Sequence, residues 1–328
     1  MNDSCNQSAA MPHLVVALAG DKSYFLHLSA CVNSILSNTR NHNRLELLIL
    51  DGGLLADQKN FLREMAKKFT VEINFEDKVA IQYKDFPVNR RIATSPTYYR
   101  ISLAEIIPRR VPYALYLDSD TIVEEDVFEL LQHANQKQFA VWAVEDISAS
   151  RAHQLLGIKK SKYFNAGVML INLDYWRKNN VGEQIRDYKL QNPEKILGND
   201  GGAINAILCD SWGRLPPKWN QQSGLYKNKF RRPGRLQYST NEINDALRRP
   251  AIIHYVGARK PWLPGCPHPL SKRYWFYRRN LGLAVNEIKF VEELGEILKK
   301  PHHFIRKWWY KLRFSSQQSW KVGIRSRI

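Results

Sequence analysis

The chain reads as an α/β protein with a mostly parallel central sheet flanked by helices. Short apolar runs alternate with segments of helical spacing, and Asp and Gly close the runs. Such an alternation is that of a parallel sheet with helices on both faces. Leu14–Ala19 (LVVALA) is a buried strand ended by Gly20-Asp21. Tyr24 to Leu36 follows, with Leu28, Val32, Ile35 and Leu36 on one side of a helix. Leu45–Leu50 (LELLIL) is a second buried strand, closed by Asp51-Gly52-Gly53. A helix through Phe61, Leu62 and Met65 leads to a third strand at Val71–Phe75. Further strands are expected at Tyr113–Leu117, Phe139–Val144, Gly167–Asn172 and Ala251–Val256, and helices at Thr97–Ile106, Asp174–Tyr188 and Gly201–Leu208. Ser211–Leu236, rich in Pro, Gly, Trp and Arg, is expected to form irregular surface. Ligands of such sheets sit at the carboxyl ends of strands. The loops after Ala19, Leu50 and Leu117 are therefore the places to look for chemistry.

Composition narrows the class. With 328 residues, 44% of them apolar and 24% charged, the chain is neither disordered nor collagen-like and can bury a large core. Its 49 Lys and Arg against 31 Asp and Glu give a net charge of +18. Residues 1–210 carry 24 basic and 25 acidic side chains, whereas residues 211–328 carry 25 and 6. The basic excess is thus confined to the last third, which points to a polyanion, a sugar phosphate or an anionic membrane as partner. Cys5, Cys31, Cys209 and Cys266 lie far apart and form no CxxC pair, so neither a zinc site nor a dense disulfide framework is expected, and a reducing compartment is. Met1 to Met11 is polar, without the pattern of a signal peptide. No stretch approaches the ~18 apolar residues of a membrane span. Any membrane contact is expected to be peripheral.

Three constellations could carry chemistry. In Leu115-Tyr116-Leu117-Asp118-Ser119-Asp120, an apolar strand delivers two carboxylates two residues apart. In extended chain, such residues point to the same side. They are either two oxygen ligands for Mg²⁺ or Mn²⁺ holding a diphosphate, or a strand-ending turn. In the segment Ile252 to Trp262, a strand ends in His254, followed by Gly257 and Lys260. His254 is a structural histidine or a metal ligand, while Gly permits close backbone approach to phosphate and Lys brings charge to it. In Tyr163-Phe164-Asn165-Ala166-Gly167, Asn165 is a turn residue or a site wall. Arg100 alone reads as a surface helix charge, and Asp200 before two glycines as a helix N-cap. The chain has no GxGxxG, GxxxxGK[ST], GxSxG or HExxH, which counts against dinucleotide, P-loop, α/β-hydrolase and zincin readings.

Taken in order, LYLDSD, YFNAGVMLINLDYWR and HYVGARKPW make the chain resemble glycosyltransferase family 8 over roughly residues 13–280, and within it the bacterial lipopolysaccharide and lipooligosaccharide galactosyl- and glucosyltransferases. The resemblance implies a GT-A fold, a UDP-hexose donor, Mn²⁺ or Mg²⁺, and retention of anomeric configuration. It implies Asp118, Asp120 and His254 as metal ligands, and Gly257 and Lys260 as diphosphate contacts. The loop Ala19-Gly20-Asp21-Lys22-Ser23-Tyr24 would hold uracil and ribose, Asp21 bonding the base and Tyr24 stacking on it. Ser119 would join this donor site. Arg100 and Asn165 would surround the donor sugar and diphosphate, with Asp200 on the transferred sugar as the third catalytic candidate. Asp146 is a weaker match to an acceptor-side carboxylate.

Two departures stand out. Ser23 replaces a common Asn of the family, and Gly201-Gly202 follow Asp200 where the family has Gln and Asp. No side chain at Gly201 can then act as a nucleophile. Same-face attack is expected, the departing phosphate oxygen taking the acceptor's proton.

The resemblance divides the chain into a polar extension (1–12), a catalytic domain (13–285) and a basic amphipathic helix or tail (286–328). Residues 297–328 hold nine Lys and Arg, no Asp or Glu, and three Trp. In a helix, Ile305, Trp308, Trp309 and Leu312 share a face, which fits a peripheral anchor on anionic lipid. Nucleic acid is the less favoured partner for the same features. The expected protein is a cytoplasmic enzyme peripheral to the inner face of the membrane, moving galactose or glucose onto a lipid-linked anionic core oligosaccharide. The alternatives are the same chemistry on a protein glycan or capsule precursor, and a non-catalytic polyanion-binding protein.

Overall fold

A computed structural model describes residues 13–84, 86, 95–134, 137–147, 152–194, 200–227 and 235–282. The polar N-terminal extension (1–12) and the basic amphipathic helix or tail expected over 286–328 lie outside the described residues. The chain divides into two compact units, Met1–His254 and Tyr255–Ile328.

The first unit opens with β1 (Leu14–Gly20), α1 (Phe25–Asn38), β2 (Leu45–Asp51), α2 (Ala56–Lys67), β3 (Glu72–Glu76) and the short α3 (Val79–Gln82). A 3-10 helix over Ser95–Ser102 runs into α4 (Leu103–Ile106), then β4 (Tyr113–Leu117) and β5 (Thr121–Val123). Next come β6 (Val141–Glu145), α5 (Ala152–Leu155), β7 (Phe164–Asn172), α6 (Leu173–Lys178), α7 (Val181–Gln191) and α8 (Gly201–Leu208). The unit closes with β8 (Trp212–Arg214), β9 (Gln221–Gln222), α9 (Thr240–Arg248) and β10 (Ile252–His254).

Seven strands form the main sheet in the order β3-β2-β1-β4-β7-β6-β8. The pairings β1 with β2, β2 with β3, β1 with β4 and β6 with β8 are parallel, while β7 runs antiparallel to both its neighbours. The expected mostly parallel α/β sheet is therefore present. β1 and β7 are buried along almost their whole lengths, the state of strands covered on both faces. One face packs Val15, Ala17, Tyr116, Met169 and Ile171 against Tyr98, Ile101, Trp176, Ile185 and Ile204 of the helices.

Several expectations need correction. Asp174–Tyr188 is two helices: the chain breaks at Asn180, whose φ of 49° lies in the left-handed region that Asn tolerates. Thr97–Ile106 is 3-10 before it is α. β7 begins three residues before the expected Gly167, so Asn165 stands inside the strand rather than in a turn before it. Ser211–Leu236 is not mere surface. It supplies β8 and β9, and its Trp219, Asn220, Gln221 and Gln222 are fully buried. β9 joins β5 and β10 in a separate three-stranded sheet, which the periodicity of such short strands does not disclose.

α8 is pinned to the start of β7 by one side chain. Asn205 accepts from Phe164 N at 2.8 Å and donates to Phe164 O at 2.9 Å, the pairing a neighbouring strand would make. Asn205→Ala strands both buried groups, at a cost of about 1–3 kcal/mol each. A lowered midpoint in urea denaturation is the expected result.

The second unit contains α10 (Ser271–Arg279), packed through Tyr274 against Trp262 and Tyr255. Trp275 Nε1 donates to Pro261 O at 3.1 Å.

Candidate active site

Asp118 and Asp120 sit where the chain leaves one sheet for the other. β4 ends at Leu117 in the main sheet, and β5, beginning at Thr121, pairs antiparallel with β10 in the small one. The register places Thr121 opposite His254. This crossing brings a histidine more than 130 residues downstream to the two carboxylates. One ligand atom from each of Asp118, Asp120 and His254 lies within 4.8 Å of the others. His254 Nε2 is 3.2 Å from Asp120 Oδ1 and 3.8 Å from Asp118 Oδ2.

The crossing loop is tightly held. Asp118 N donates to Gly167 O at 2.8 Å, and Thr121 N and Oγ1 both donate to Asp118 O. Ser119 Oγ donates to Ala19 O at 2.6 Å, tying the loop to the carboxyl end of β1. Ala19 and Ser119 are thus brought together by a structural bond.

Arg100 is no surface charge: it is 5% exposed. Its Nη1 lies 3.1 Å from Asp118 Oδ1 and donates to Ala166 O at 2.6 Å. Its Nε lies 2.6 Å from Asp200 Oδ2. Its guanidinium stands 4.3 Å from the centre of the Tyr116 ring, a favourable site for a planar cation. Burial lowers the arginine's pKa, but Asp118 and Asp200 more than offset this and raise it, so the charge is permanent.

Asp200 occupies the N-cap position of α8, yet its side chain makes no cap bond. It turns instead to Arg100 and to Thr97 Oγ1, which donates at 2.7 Å. Burial raises its pKa, and Arg100 and Thr97 pull it back without cancelling the rise. Tyr116, whose pKa burial holds well above its ordinary value, donates its hydroxyl to Asp118 Oδ1 at 3.1 Å.

The remaining candidates separate. Asp21 Oδ1 accepts from Ser23 N, Ser23 Oγ and Tyr24 N, shaping the loop after β1. Tyr24 lies edge-on to His27. Asn165 donates to Asp146 Oδ2 at 3.3 Å, which joins the acceptor-side candidate to the centre of the site. Gly257, at φ 97°, and Lys260, whose Nζ donates to Tyr255 O at 2.8 Å, belong to the second unit. Positive φ at Gly257 is backbone that few other residues adopt.

Thr97, Tyr116 and Asn220 also touch the site residues directly, though no motif in the sequence marks them for it. Thr97 and Tyr116 lie inside segments already singled out. Asn220 lies in the Pro-, Gly-, Trp- and Arg-rich stretch whose composition suggests surface; a run of three amides beside a tryptophan is its visible signal.

The arrangement suits a divalent cation. Two carboxylates supply hard oxygens and an imidazole supplies a nitrogen, a set within the range of Mn²⁺ and Mg²⁺. Gly167 keeps the space between them open. A Cβ there would stand 2.2 Å from His254 Cε1 and 2.6 Å from Asp118 Oδ2. Gly167→Ala must displace at least one of the two ligands. A loss of Mn²⁺ affinity of ~10-fold or more is expected, as for other disturbances of ligand orientation, with titration of Mn²⁺ as the measurement.

The fold has known counterparts. A crystal structure of galactosyltransferase LgtC in complex with donor and acceptor sugar analogs superposes with a TM-score of 0.66, at 21% identity, over 84% of this chain and 99% of that one. The fold is accordingly that of the GT-A glycosyltransferases. General stress protein A of Bacillus subtilis is 32% identical over 266 residues, 80% of this chain and 92% of that protein. Lipopolysaccharide glucosyltransferase WaaO of Escherichia coli is 26% identical over 258 residues, 76% of this chain and 72% of its own length. Residues 15–265 match the model of glycosyl transferase family 8, and the chain belongs to that family.

Proposed function

We propose that the chain is a retaining hexosyltransferase that moves galactose or glucose from a UDP-sugar to the core oligosaccharide of a lipopolysaccharide, with Mn²⁺ or Mg²⁺. The observation that carries the reading is the convergence of Asp118, Asp120 and His254 at the carboxyl end of β4. Glycosyl transfer from a nucleotide donor must stabilise the negative charge on the departing diphosphate. A divalent cation held by these three residues would supply that stabilisation.

The chain's own residues support the rest. The guanidinium of Arg100 holds Asp118 and Asp200 in fixed relation. Asp200 is buried, with one oxygen held by Thr97 and the other by Arg100, which leaves neither carboxylate oxygen free as a nucleophile. Gly201 offers no side chain, and a Cβ there would meet only Ala166 Cβ, at 3.9 Å. Both facts favour attack by the acceptor hydroxyl on the face the leaving group departs from. The bond between the anomeric carbon and the phosphate oxygen breaks, the bond to the acceptor oxygen forms, and the acceptor's proton passes to the departing phosphate oxygen. Gly257 and Lys260 would contact the diphosphate, and the loop Asp21–Tyr24 the nucleoside, by resemblance to the family. Asp146 is the proposed acceptor-side carboxylate.

The acceptor rests on the name of WaaO and on the charge of the last third of the chain. No helix among the described residues is long and apolar enough to cross a membrane. In this reading residues 13–285 form the catalytic domain, and residues 286–328 bind the anionic inner face of the cytoplasmic membrane.

The test is hydrolysis of a panel of UDP-hexoses by the full chain with and without Mn²⁺. Turnover of one sugar is expected, with Asp120→Ala and His254→Ala each reducing it by ~10² or more. Absence of both UDP binding and turnover in the unaltered chain would overturn the reading.

A further inference from the structure

A chain of hydrogen bonds runs from Asp146 to His254, and every atom in it is assigned by its neighbours. Asn165 stands 3.1 Å from the backbone N–H of Gly167, which can only donate. The atom of Asn165 facing it is therefore Oδ1. Its Nδ2 then faces Asp146 Oδ2, at 3.3 Å, and the carboxylate accepts, so both ends of the amide agree. Asn165 Oδ1 also lies 3.0 Å from Asn220, and since Oδ1 can only accept, the facing atom is Asn220 Nδ2. Asn220 Oδ1 is left to face His254 Nδ1 at 2.9 Å. A carbonyl oxygen accepts, so Nδ1 bears the proton.

In a neutral imidazole with Nδ1 protonated, the lone pair is on Nε2. Nε2 is the atom that points at Asp118 and Asp120. All four side chains belong to the first unit, and Asn220, Gln221 and Gln222 are fully buried. Asn220 itself is fixed between buried neighbours: Trp219 N bonds Pro216 O, and β9 begins at the next residue, paired with β10 at Ile253. Small-sheet pairing and amide chain thus hold the same histidine from two sides.

We propose that Asn220 is a positioning residue for the metal site: it holds the His254 ring in the tautomer and orientation that present Nε2 as a ligand, and Asn165 relays to it the polarity imposed by the Asp146 carboxylate. The inference rests on the metal-dependent reading above and deepens it. Groups that orient a ligating histidine through its other nitrogen are worth 10–100-fold in metal affinity. Asn220→Leu preserves the volume but removes the acceptor at Nδ1. Asn220→Asp keeps an oxygen there.

The experiment is titration of the full chain with Mn²⁺ in the presence of UDP, following free Mn²⁺ by electron paramagnetic resonance. Circular dichroism melts check that each variant is folded. Asn220→Leu should weaken Mn²⁺ binding by ~10–100-fold, and Asn220→Asp should restore most of the affinity. Asn220→Ala is carried in parallel in case the leucine variant does not fold. In a His254→Ala background, the Asn220 substitution should have no further effect, because its target is gone. Equal weakening in both backgrounds, or a folded Asn220→Leu with unaltered affinity beside a defective His254→Ala, would overturn the proposal while leaving the metal reading standing. Failure of the unaltered chain to bind Mn²⁺ would instead overturn the metal reading itself.

Discussion

One buried cation organises this molecule. Arg100 takes Asp118 from the end of β4, Asp200 from the start of α8 and the carbonyl of Ala166 from β7. Three segments distant in sequence meet on one planar group. A guanidinium can do this because its five donors point in fixed directions and its charge is never lost. Desolvating that charge is costly unless each donor finds a partner. Two carboxylates, the carbonyl and hydroxyl oxygens of Thr97 and the carbonyl of Ala166 meet the need. Tyr116 covers the face of the cation and also donates to Asp118. Removing Arg100 would leave two acidic groups facing one another in a partly dry site.

A second constraint is the change of sheet between β4 and β5. A DxD at the end of a strand is ordinary turn chemistry until something is placed opposite it. Here the chain turns from the seven-stranded sheet into the three-stranded one, and the β5–β10 register sets His254 against the turn. Gly167 on the adjacent strand leaves the room, and Ser119 ties the turn to β1. The site is therefore a product of two sheets, with Asn165 and Asn220 bridging β7 and the segment before β9.

Much of this was legible along the chain. Apolar runs such as LVVALA and LELLIL specify largely buried strands, and their ends fall within a residue or two of those of β1 and β2. Asp118, Asp120 and His254 are legible through the order and spacing of LYLDSD, YFNAGVMLINLDYWR and HYVGARKPW together, not through any one of these motifs alone. Less legible were the short strands β5, β8 and β9, whose two or three residues show no period. The polar stretch around Asn220 looked like surface because burial of amides depends on partners, and partners are long-range. Arg100 and Asp200 looked like a surface charge and a helix cap for the same reason. Each has a common local use, and only the other one's presence nearby removes it from that use.

The sequence by itself determined the class of fold, the order of its longer strands and the family to which the chain belongs, because hydrophobic periodicity and motif spacing are local properties written residue by residue. Tertiary structure alone decided which polar groups meet. It made Arg100 the hub of two acids, turned Asp200 away from its own helix, and set the polarity of the amides between Asp146 and His254. Those outcomes depend on which buried donors and acceptors are left without water, and that is settled only when distant segments exclude it together.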